Sequence, residues 1–271
     1  MKRPVIYISD STGITAETLG HSLLTQFSDL EYETFTLRFI NTVEKATQAA
    51  EVIQRFSQEN GVRPIVFSTL VEDSLQQIII KCDCLFIDFM QTFIQPLEQE
   101  LATPAHREVG HSHGMTEMKA YQERMSAVNY ALQCDDGIGV QHYDKADVIM
   151  LGVSRSGKTP SCVYLAMHFG IFAANYPLVE GDIERLVLPE SLKKYREKLF
   201  GLTITPERLH QIRSERRPNS EYASLHQCQY ELRQVEALYR QFGIDYLNVT
   251  RMSVEEIATS IMIRADLKQH A

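Results

Sequence analysis

The sequence predicts an α/β fold made of two successive domains, and three observations support this. Short apolar runs alternate with stretches of helical periodicity, which is typical of a parallel sheet covered by helices. The alternation stops once, in a histidine-containing stretch without periodicity, and then resumes. A glycine-containing segment follows the first strand after this break. We expect an N-terminal parallel-sheet α/β domain over residues 1–101, a connecting loop and helix over 102–142, and a second α/β domain over 143–271.

The first half of the chain alternates strand and helix patterns. Apolar or alternating runs predict strands at Val5–Ser9, Thr34–Ile40, Pro64–Ser68 and Cys84–Asp88. Helical spacing of apolar residues predicts helices at Ile14–Phe27, Val43–Phe56 and Val71–Ile80. We expect Thr12 to cap the first of these helices. Because strands and helices take turns along the chain, neighbouring strands are expected to run parallel.

The second half resumes the pattern after a loop at Ala102–Met118 and a helix at Thr116–Cys134, which ends at Asp135-Asp136-Gly137. Strands are predicted at Asp147–Leu151, Ile171–Tyr176, Leu199–Ile204 and Asp245–Val249. Helices are predicted at Ser161–Phe169, Glu190–Lys198, Pro206–Glu215, Ser220–Phe242 and Ser253–Ala265. Ser253 and Glu256 have the spacing of a capping box at the start of the last helix.

The strongest functional signal is a segment that fits the phosphate-binding loop pattern G-x-x-x-x-G-K-S/T at every fixed position. Its residues are Gly152, Val153, Ser154, Arg155, Ser156, Gly157, Lys158 and Thr159. A loop between a strand and a helix N-terminus presents backbone N–H groups and the positive end of the helix dipole to an anion. Lys158 is expected to reach the terminal phosphates, and Thr159 offers a hydroxyl to Mg²⁺, a candidate cofactor. The second domain is therefore predicted to be a P-loop kinase-like α/β domain that handles a nucleotide or a phosphate.

The alternative interpretation of this segment is structural, without phosphate binding: a glycine-containing turn before a helix with a solvent-exposed lysine. Two interpretations of Arg155 stay open: a bidentate phosphate contact, or a loop arginine that faces solvent. Pro160 directly follows Thr159, a position in the first helical turn where proline is tolerated.

Composition excludes several classes of function. A net charge of −8 gives no basic footprint for nucleic acid, and no apolar run approaches the ~18 residues that span a bilayer. The N-terminus lacks a signal peptide, so we expect a cytoplasmic protein. The five cysteines are an odd number without a CxxC pair, which argues against a disulfide framework and a structural zinc site. His106, His111 and His113 lie close together, but no further ligands are evident, and no resident metal site is predicted.

Taken together, the motifs resemble one known family, the regulatory proteins of pyruvate, phosphate dikinase and phosphoenolpyruvate synthase. The resemblance covers almost the whole chain. The segments that carry it are Tyr7–Glu17, His113–Met115, Asp135–Gly137, Gly152–Pro160, Ala174–Pro177, Lys198–Ile204, Arg216-Arg217, Tyr222-Ala223 and Ser253–Ala258. The runs Ser154–Pro160 and Arg216–Leu225 look most like the synthase regulators.

The resemblance implies a bifunctional enzyme. One activity transfers phosphate from ADP to a threonine of the target and inactivates it. The other removes that phosphate with inorganic phosphate and releases pyrophosphate. The loop Gly152–Thr159 would bind both phosphate substrates, with Lys158, Arg155 and Thr159 as the catalytic residues. The target would be phosphoenolpyruvate synthase or pyruvate, phosphate dikinase, and the resemblance also suggests a homodimer.

Other residues and functions remain open at this stage. Asp182 and Glu184 could supply an acidic group near the acceptor hydroxyl, although their pattern favours solvated surface residues. Lys198 could neutralise phosphate, and a surface lysine is an equally good interpretation. Asp10 with Ser11–Gly13 forms a second candidate anion site, for which a capped helix start is the alternative. The competing functions are a small-molecule kinase or NTPase and a non-catalytic nucleotide sensor that binds the synthase.

Overall fold

The computed structural model describes residues 2–27, 29–106 and 117–269. The chain divides into two compact units, Met1–Gly114 and Met115–Ala271. Each unit contains one four-stranded sheet in which all neighbouring strands are parallel. The predicted α/β class is confirmed.

The first unit contains a sheet with the strand order β2-β1-β3-β4. Its strands are β1 (Arg3–Ile8), β2 (Tyr32–Leu37), β3 (Ile65–Ser68) and β4 (Leu85–Asp88). Its helices are α1 (Ile14–Leu24), α2 (Val43–Asn60), α3 (Asp73–Ile79) and α4 (Phe89–Leu101). Successive residues of β1 face opposite sides of the sheet, so the unit has two apolar cores. Ile6 and Ile8 pack with residues of α2 and α3, whereas Val5 and Tyr7 pack with residues of α1 and α4.

Two features of the first unit differ from the sequence-based expectations. Thr12 does not cap α1: the capping position is Gly13, in the left-handed region, and no side chain bonds the helix start there. Helix α4 is absent from the predicted elements, and Pro96 in its interior is a residue that normally counts against a helix. The carboxylate of Asp88 stabilises its start by accepting a hydrogen bond from the backbone N–H of Gln91 at 2.9 Å.

The second unit contains a sheet with the order β6-β5-β7-β8. Its strands are β5 (Val148–Gly152), β6 (Ala173–Pro177), β7 (Leu199–Thr203) and β8 (Tyr246–Asn248). Its helices are α5 (Glu117–Gln133), α6 (Lys158–Phe169), α7 (Glu180–Glu184), α8 (Glu190–Lys193), α9 (Pro206–Arg216), α10 (Leu225–Phe242) and α11 (Val254–Arg264). The capping box of α11 is confirmed, because Ser253 and Glu256 exchange hydrogen bonds.

Helix α5 belongs to the second unit, although the sequence analysis places it in a connecting segment. Its residues Ala127, Tyr130 and Ala131 are buried in the core of this unit. The turn Asp135–Gly137 follows α5 and lies beside β6. The hydroxyl of Tyr130 also donates a hydrogen bond to the carbonyl of His142 at 2.9 Å. The helix therefore positions the acidic turn at the end of the sheet where β5 ends.

The described ranges include all five cysteines and one of the three clustered histidines. The five cysteines are free thiols. No helix in residues 2–27, 29–106 or 117–269 is both long and apolar enough to cross a membrane. Of the three clustered histidines, His111 and His113 lie outside the described residues.

Candidate active site

The glycine-rich loop joins the end of β5 to the start of α6. Gly152 is the last residue of β5 and Lys158 is the first of α6. Gly157 precedes the helix with a φ of +91°, in the left-handed region that favours glycine. It has no side chain to cap α6, so no side chain occupies the N–H groups at the helix start, which an anion could bind.

Gly152 is required by a close approach of neighbouring chain segments. A Cβ atom at this position would lie 2.5 Å from the hydroxyl of Ser156 and 2.9 Å from the carbonyl oxygen of Leu202. Any side chain there would push the loop away from β7. Arg155, in the middle of the loop, has a φ of +74°, which an arginine adopts only where its surroundings hold it.

Lys158 is the buried cation of the site. It is 5% exposed, and its Nζ donates a hydrogen bond to the carbonyl oxygen of Val153 at 3.0 Å. Burial lowers the pKa of Lys158 to about 8, while the nearby carboxylates of Asp136 and Asp135 oppose that effect. The lysine is buried beside these two carboxylates, and its ammonium form would attract the oxygen atoms of a bound phosphate.

Thr159 is held by a carboxylate from the turn that follows α5. Its hydroxyl donates to Asp135 Oδ1 at 2.7 Å, and the buried side-chain amide of Asn175, on β6, donates to the same oxygen. The backbone N–H of Asp136 donates to the side-chain oxygen of Asn175 at 3.0 Å. This network fixes Asp135 and leaves the exposed side chain of Asp136 at the pocket.

A buried arginine on α9 holds the phosphate-binding loop in position. Arg213, on α9, is fully buried and makes a two-point ion pair with Glu231 of α10, at 3.1 and 2.6 Å. Its Nη2 also donates to the carbonyl oxygen of Ser154 at 3.1 Å. The guanidinium lies 4.1 Å from the ring centre of Tyr222, whose hydroxyl donates to Ser154 Oγ at 2.9 Å. Both contacts fix the position of the loop residue next to Arg155.

These groups surround one pocket of about 740 Å³. The phosphate-binding loop forms one wall, the Asp135–Asp136 turn a second and the end of α9 a third. Four of the lining side chains are cationic and two are carboxylates. The lining residues are Asp135, Asp136, Ser154, Arg155, Gly157, Lys158, Thr159, Pro160, Ile212, Arg216, Arg217 and Tyr222.

The predicted site residues divide into two groups. Ser154, Arg155, Gly157, Lys158 and Thr159 line the pocket. Gly152, Val153 and Ser156 are buried behind it, where they shape the loop. Among the residues that the structure describes, the hydroxyl of Ser156 has no hydrogen-bond partner.

The other candidates from the sequence analysis do not line this pocket. Asp182 accepts a hydrogen bond from the backbone N–H of Val179 at 3.2 Å, which stabilises the start of α7. Lys198 donates to the carbonyl oxygens of Asp144 and Ala146 at 2.8 and 2.7 Å, so its ammonium holds a turn together. Both residues have structural roles here.

Several pocket and supporting residues were not singled out as site residues from the sequence. These are Asp135, Asp136, Asn175, Arg213, Arg216, Arg217 and Tyr222. Most of them lie in short segments that carry the family resemblance, such as Asp135–Gly137 and Arg216-Arg217. That resemblance was the available signal, since no spacing rule links these residues to the loop.

The oxygen atoms at the loop suit a magnesium ion. The hydroxyl of Thr159 and the carboxylate of Asp135 are adjacent, and Mg²⁺ is usually held by one or two such groups together with water and substrate phosphates. No group of three or more His, Cys, Asp or Glu side chains in the described ranges could hold a metal ion by itself. The donor set therefore fits Mg²⁺ that arrives with a phosphate substrate.

Comparison with known proteins agrees with this geometry. The model of the kinase/pyrophosphorylase family matches residues 5–262 of the chain. The chain belongs to this family. The family name and the pocket together identify a phosphotransferase.

Curated relatives match along nearly their whole length. One from Alkalilimnicola ehrlichii is 53% identical over 268 residues, which is 99% of this chain and 97% of the relative. One from Hahella chejuensis is 52% identical over 270 residues, 100% of this chain and 99% of the relative. One from Marinobacter nauticus is 49% identical over 270 residues, the full length of both. All three carry the name "Putative phosphoenolpyruvate synthase regulatory protein".

Proposed function

We propose that this protein regulates phosphoenolpyruvate synthase by two reactions in one pocket. It transfers a phosphoryl group from ADP to a threonine of the synthase, and it removes that group with inorganic phosphate. The observation that carries the proposal is the convergence of the phosphate-binding loop, a buried lysine and two carboxylates on one cavity. The names of the relatives support the synthase as the target. Pyruvate, phosphate dikinase is the second candidate target, and the cytoplasm and a homodimer remain predictions.

Phosphoryl transfer depends mainly on positioning and charge neutralisation. The N–H groups at the start of α6 and the ammonium of Lys158 hold the transferred group. Arg155, Arg216 and Arg217 supply further positive charge around the pocket. Thr159 and Asp135 are the residues that would hold Mg²⁺, and the ion would supply charge neutralisation for the phosphate groups.

Asp136 is the carboxylate placed to accept a proton. Asp135 is occupied by the hydroxyl of Thr159 and the amide of Asn175, whereas Asp136 is exposed in the pocket. In the forward reaction the target threonine oxygen attacks the β-phosphorus of ADP, and its proton passes to Asp136. The bond from that phosphorus to the bridging oxygen breaks, and AMP leaves.

The second reaction uses the same positions. An oxygen of inorganic phosphate attacks the phosphorus of the phosphothreonine, and the bond to the threonine oxygen breaks. The threonine oxygen takes a proton from Asp136, and pyrophosphate leaves. The loop therefore holds the transferred phosphoryl group in both reactions.

The donor test is to incubate the protein with purified synthase or dikinase and either β-labelled ADP or γ-labelled ATP. We expect label on a threonine of the synthase with ADP only, and release of that label as pyrophosphate when phosphate is added. Label with ATP only, or label on a small molecule only, would contradict the proposal and favour a small-molecule kinase. Nucleotide binding without any transfer would favour a sensor.

A matched pair of variants tests the acid–base role. Asp136→Asn should reduce both reactions about 10²- to 10⁴-fold, the range for loss of a general base. Asp182→Asn, outside the pocket, should leave both rates unchanged. If Asp136→Asn retains full activity, Asp136 is not the proton acceptor.

A further inference from the structure

The rim of the pocket differs in chemistry from one side to the other. Three arginine side chains, Arg155, Arg216 and Arg217, line one side and form no ion pair with any residue that the structure describes. Beside the acidic turn the lining residue is Pro160, whose ring is exposed. The arginine side suits phosphate oxygens, whereas the side next to the acidic turn offers apolar surface.

Two exposed apolar side chains extend this second side beyond the pocket. Ile138 directly follows the Asp135–Gly137 turn and is 78% exposed, the highest fraction for a large apolar side chain in the described ranges. Val179, at the start of α7, is 56% exposed. Both side chains lie close in the chain to the contact between the turn and the end of β6, where a Cβ atom on Gly137 would lie 3.4 Å from Pro177.

The backbone under these two side chains is fixed to the active site. The N–H of Ile138 donates a hydrogen bond to the carbonyl oxygen of Asp135 at 3.1 Å. The N–H of Leu178, the residue before Val179, donates to the carbonyl oxygen of Gly152, where the phosphate-binding loop begins, also at 3.1 Å. The exposed apolar groups are therefore held in a set position next to the catalytic pocket.

A protein substrate must cover this part of the surface. The hydroxyl of a target threonine has to reach the carboxylate of Asp136, so the polypeptide on either side of that threonine lies across the rim. Single exposed apolar side chains are ordinary on a protein surface, but an apolar area beside a pocket is typical of a site that binds a partner. Burial of the exposed part of Ile138 would favour such binding.

Resting on the proposed function, we propose that Pro160, Ile138 and Val179 form an apolar rim that binds the polypeptide segment carrying the target threonine. A segment with an apolar side chain next to its threonine fits this surface. The arginine side of the pocket stays free for ADP or inorganic phosphate. The protein substrate and the phosphate substrate are therefore recognised by different residues.

The kinetic test compares serine variants of the rim with a matched variant elsewhere in the same unit. Ile138→Ser and Val179→Ser remove the apolar groups, and serine is a favoured residue at the helix start that Val179 occupies. Ile263→Ser is the control, because this isoleucine is 75% exposed on α11 and does not line the pocket. The KM for the synthase, the KM for ADP and kcat are measured for each full-length protein, and the KM for phosphorylated synthase is measured in the reverse direction.

We expect Ile138→Ser to raise the KM for the synthase and for phosphorylated synthase about 10-fold, with the KM for ADP and kcat unchanged. Val179→Ser should raise the same two constants about threefold, and Ile263→Ser should change none of them. An unchanged KM for the synthase in Ile138→Ser, or a parallel rise in the KM for ADP, would overturn this inference and leave the proposed function intact. Absence of transfer from ADP to the synthase by the unchanged protein would overturn the proposed function itself.

A labelling experiment tests the same surface without relying on catalysis. Ile138→Cys and Ile263→Cys each add one exposed thiol, whereas four of the five native cysteines are buried and Cys82 is half-buried. Synthase at about ten times its KM should slow maleimide labelling of the Ile138→Cys protein at least about fivefold, and it should not slow labelling of the Ile263→Cys protein. Equal labelling rates of the Ile138→Cys protein with and without synthase would contradict the apolar rim as the docking surface.

Discussion

The loop after β1 and the loop after β5 occupy equivalent positions in two sheets with the same strand order. The first covers residues 9–13 and the second 153–157, each between the end of a strand and the start of a helix. Both end on a glycine in the left-handed region, Gly13 with a φ of +82° and Gly157 with +91°. Both units therefore contain a strand-to-helix loop that ends on a glycine in the left-handed region.

The side chains on the two loops differ in charge and burial. The residue after the glycine is the exposed Ile14 in the first unit and the buried Lys158 in the second. Asp10 lies at the position that corresponds to Ser154. Its carboxylate accepts a hydrogen bond from the backbone N–H of Val71 at 3.1 Å, and burial raises the pKa of Asp10.

Both loops are also tied to an arginine from another element, but in different surroundings. In the first unit Arg38 donates to the carbonyl of Thr12 at 2.9 Å and pairs with Glu17 at the surface. In the second unit Arg213 donates to Ser154 and pairs with Glu231 in the interior. One backbone loop thus occurs in both units, whereas the second also carries a buried cation and a buried arginine contact, on which the proposed phosphate chemistry relies.

Replacing the lysine with an apolar residue should have the largest effect, because it makes the second loop resemble the first. We expect Lys158→Met to slow both reactions about 10³-fold, since a charge aimed at the transferred phosphoryl group is lost. The rates of Lys193→Met, on exposed α8, should equal those of the unchanged protein. Equal rates for Lys158→Met would show that the loop does not hold the transferred group.

The same substitution should stabilise the fold at neutral pH. Burial lowers the pKa of Lys158 from 10.5 to about 8, so holding the protonated lysine costs the folded state about 3 kcal/mol below pH 8. Between pH 8 and 10.5 the folded state releases this proton while the unfolded state keeps it, so the protein becomes more stable as pH rises. In urea unfolding at pH 7, Lys158→Met should therefore have a larger free energy of unfolding than the unchanged protein. At pH 9.5 this difference should be smaller.

The next prediction compares how much Arg213 and Arg38, which each contact one of the two loops, contribute to stability. Arg213→Gln should destabilise the second unit by about 3 kcal/mol, because the mostly buried carboxylate of Glu231 loses its partner. Arg38→Gln should cost about 1 kcal/mol or less, since its pair with Glu17 is exposed to solvent. Urea unfolding measures both.

A double variant distinguishes the effect of Arg213 on the loop from its effect on the stability of the fold. Arg213→Met with Glu231→Leu removes both charges of this ion pair and should recover most of the lost stability. We expect this protein to remain slow in both reactions, with a raised KM for ADP, because the carbonyl of Ser154 is no longer held. Recovery of full activity together with stability would limit Arg213 to a structural role.

The parts of the molecule that the sequence predicted well are local in the chain. The strand Val148–Gly152, the loop and the helix start depend on a short apolar run and on glycine spacing, so a pattern of adjacent residues is enough. The capping box at Ser253 and Glu256 is equally local. Helix α4 shows the limit of such rules, because Pro96 contradicts the pattern and the helix forms around it.

The parts that the sequence did not predict depend on contacts between distant residues. Thr159 and Asp135 are 24 positions apart, and Arg213 and Ser154 are 59 apart. No periodicity encodes such pairs, since they form only when α5 and α9 pack beside the sheet. The family resemblance singled out the segments that contain Asp135 and Arg216, but it could not give their geometry.

The smallest expected effect concerns the one hydroxyl that ties Tyr222 to the loop. Tyr222→Phe keeps the ring beside Arg213 and removes only the 2.9 Å bond to Ser154 Oγ. A single exposed hydrogen bond contributes about 0.5–1.5 kcal/mol. We therefore expect a KM for ADP raised by about two- to tenfold, with kcat nearly unchanged.

Ser154→Ala removes the other partner of the same bond, so its effect should match that of Tyr222→Phe, and the double variant should be no worse than either single one. Steady-state kinetics of the three proteins with ADP and with phosphate measure this coupling. Additive losses would mean that the Tyr222 hydroxyl acts on the substrate rather than on the loop. In that case the difference between the two units would include a direct substrate contact from the Glu221–Ala223 turn, as well as the buried lysine and its brace.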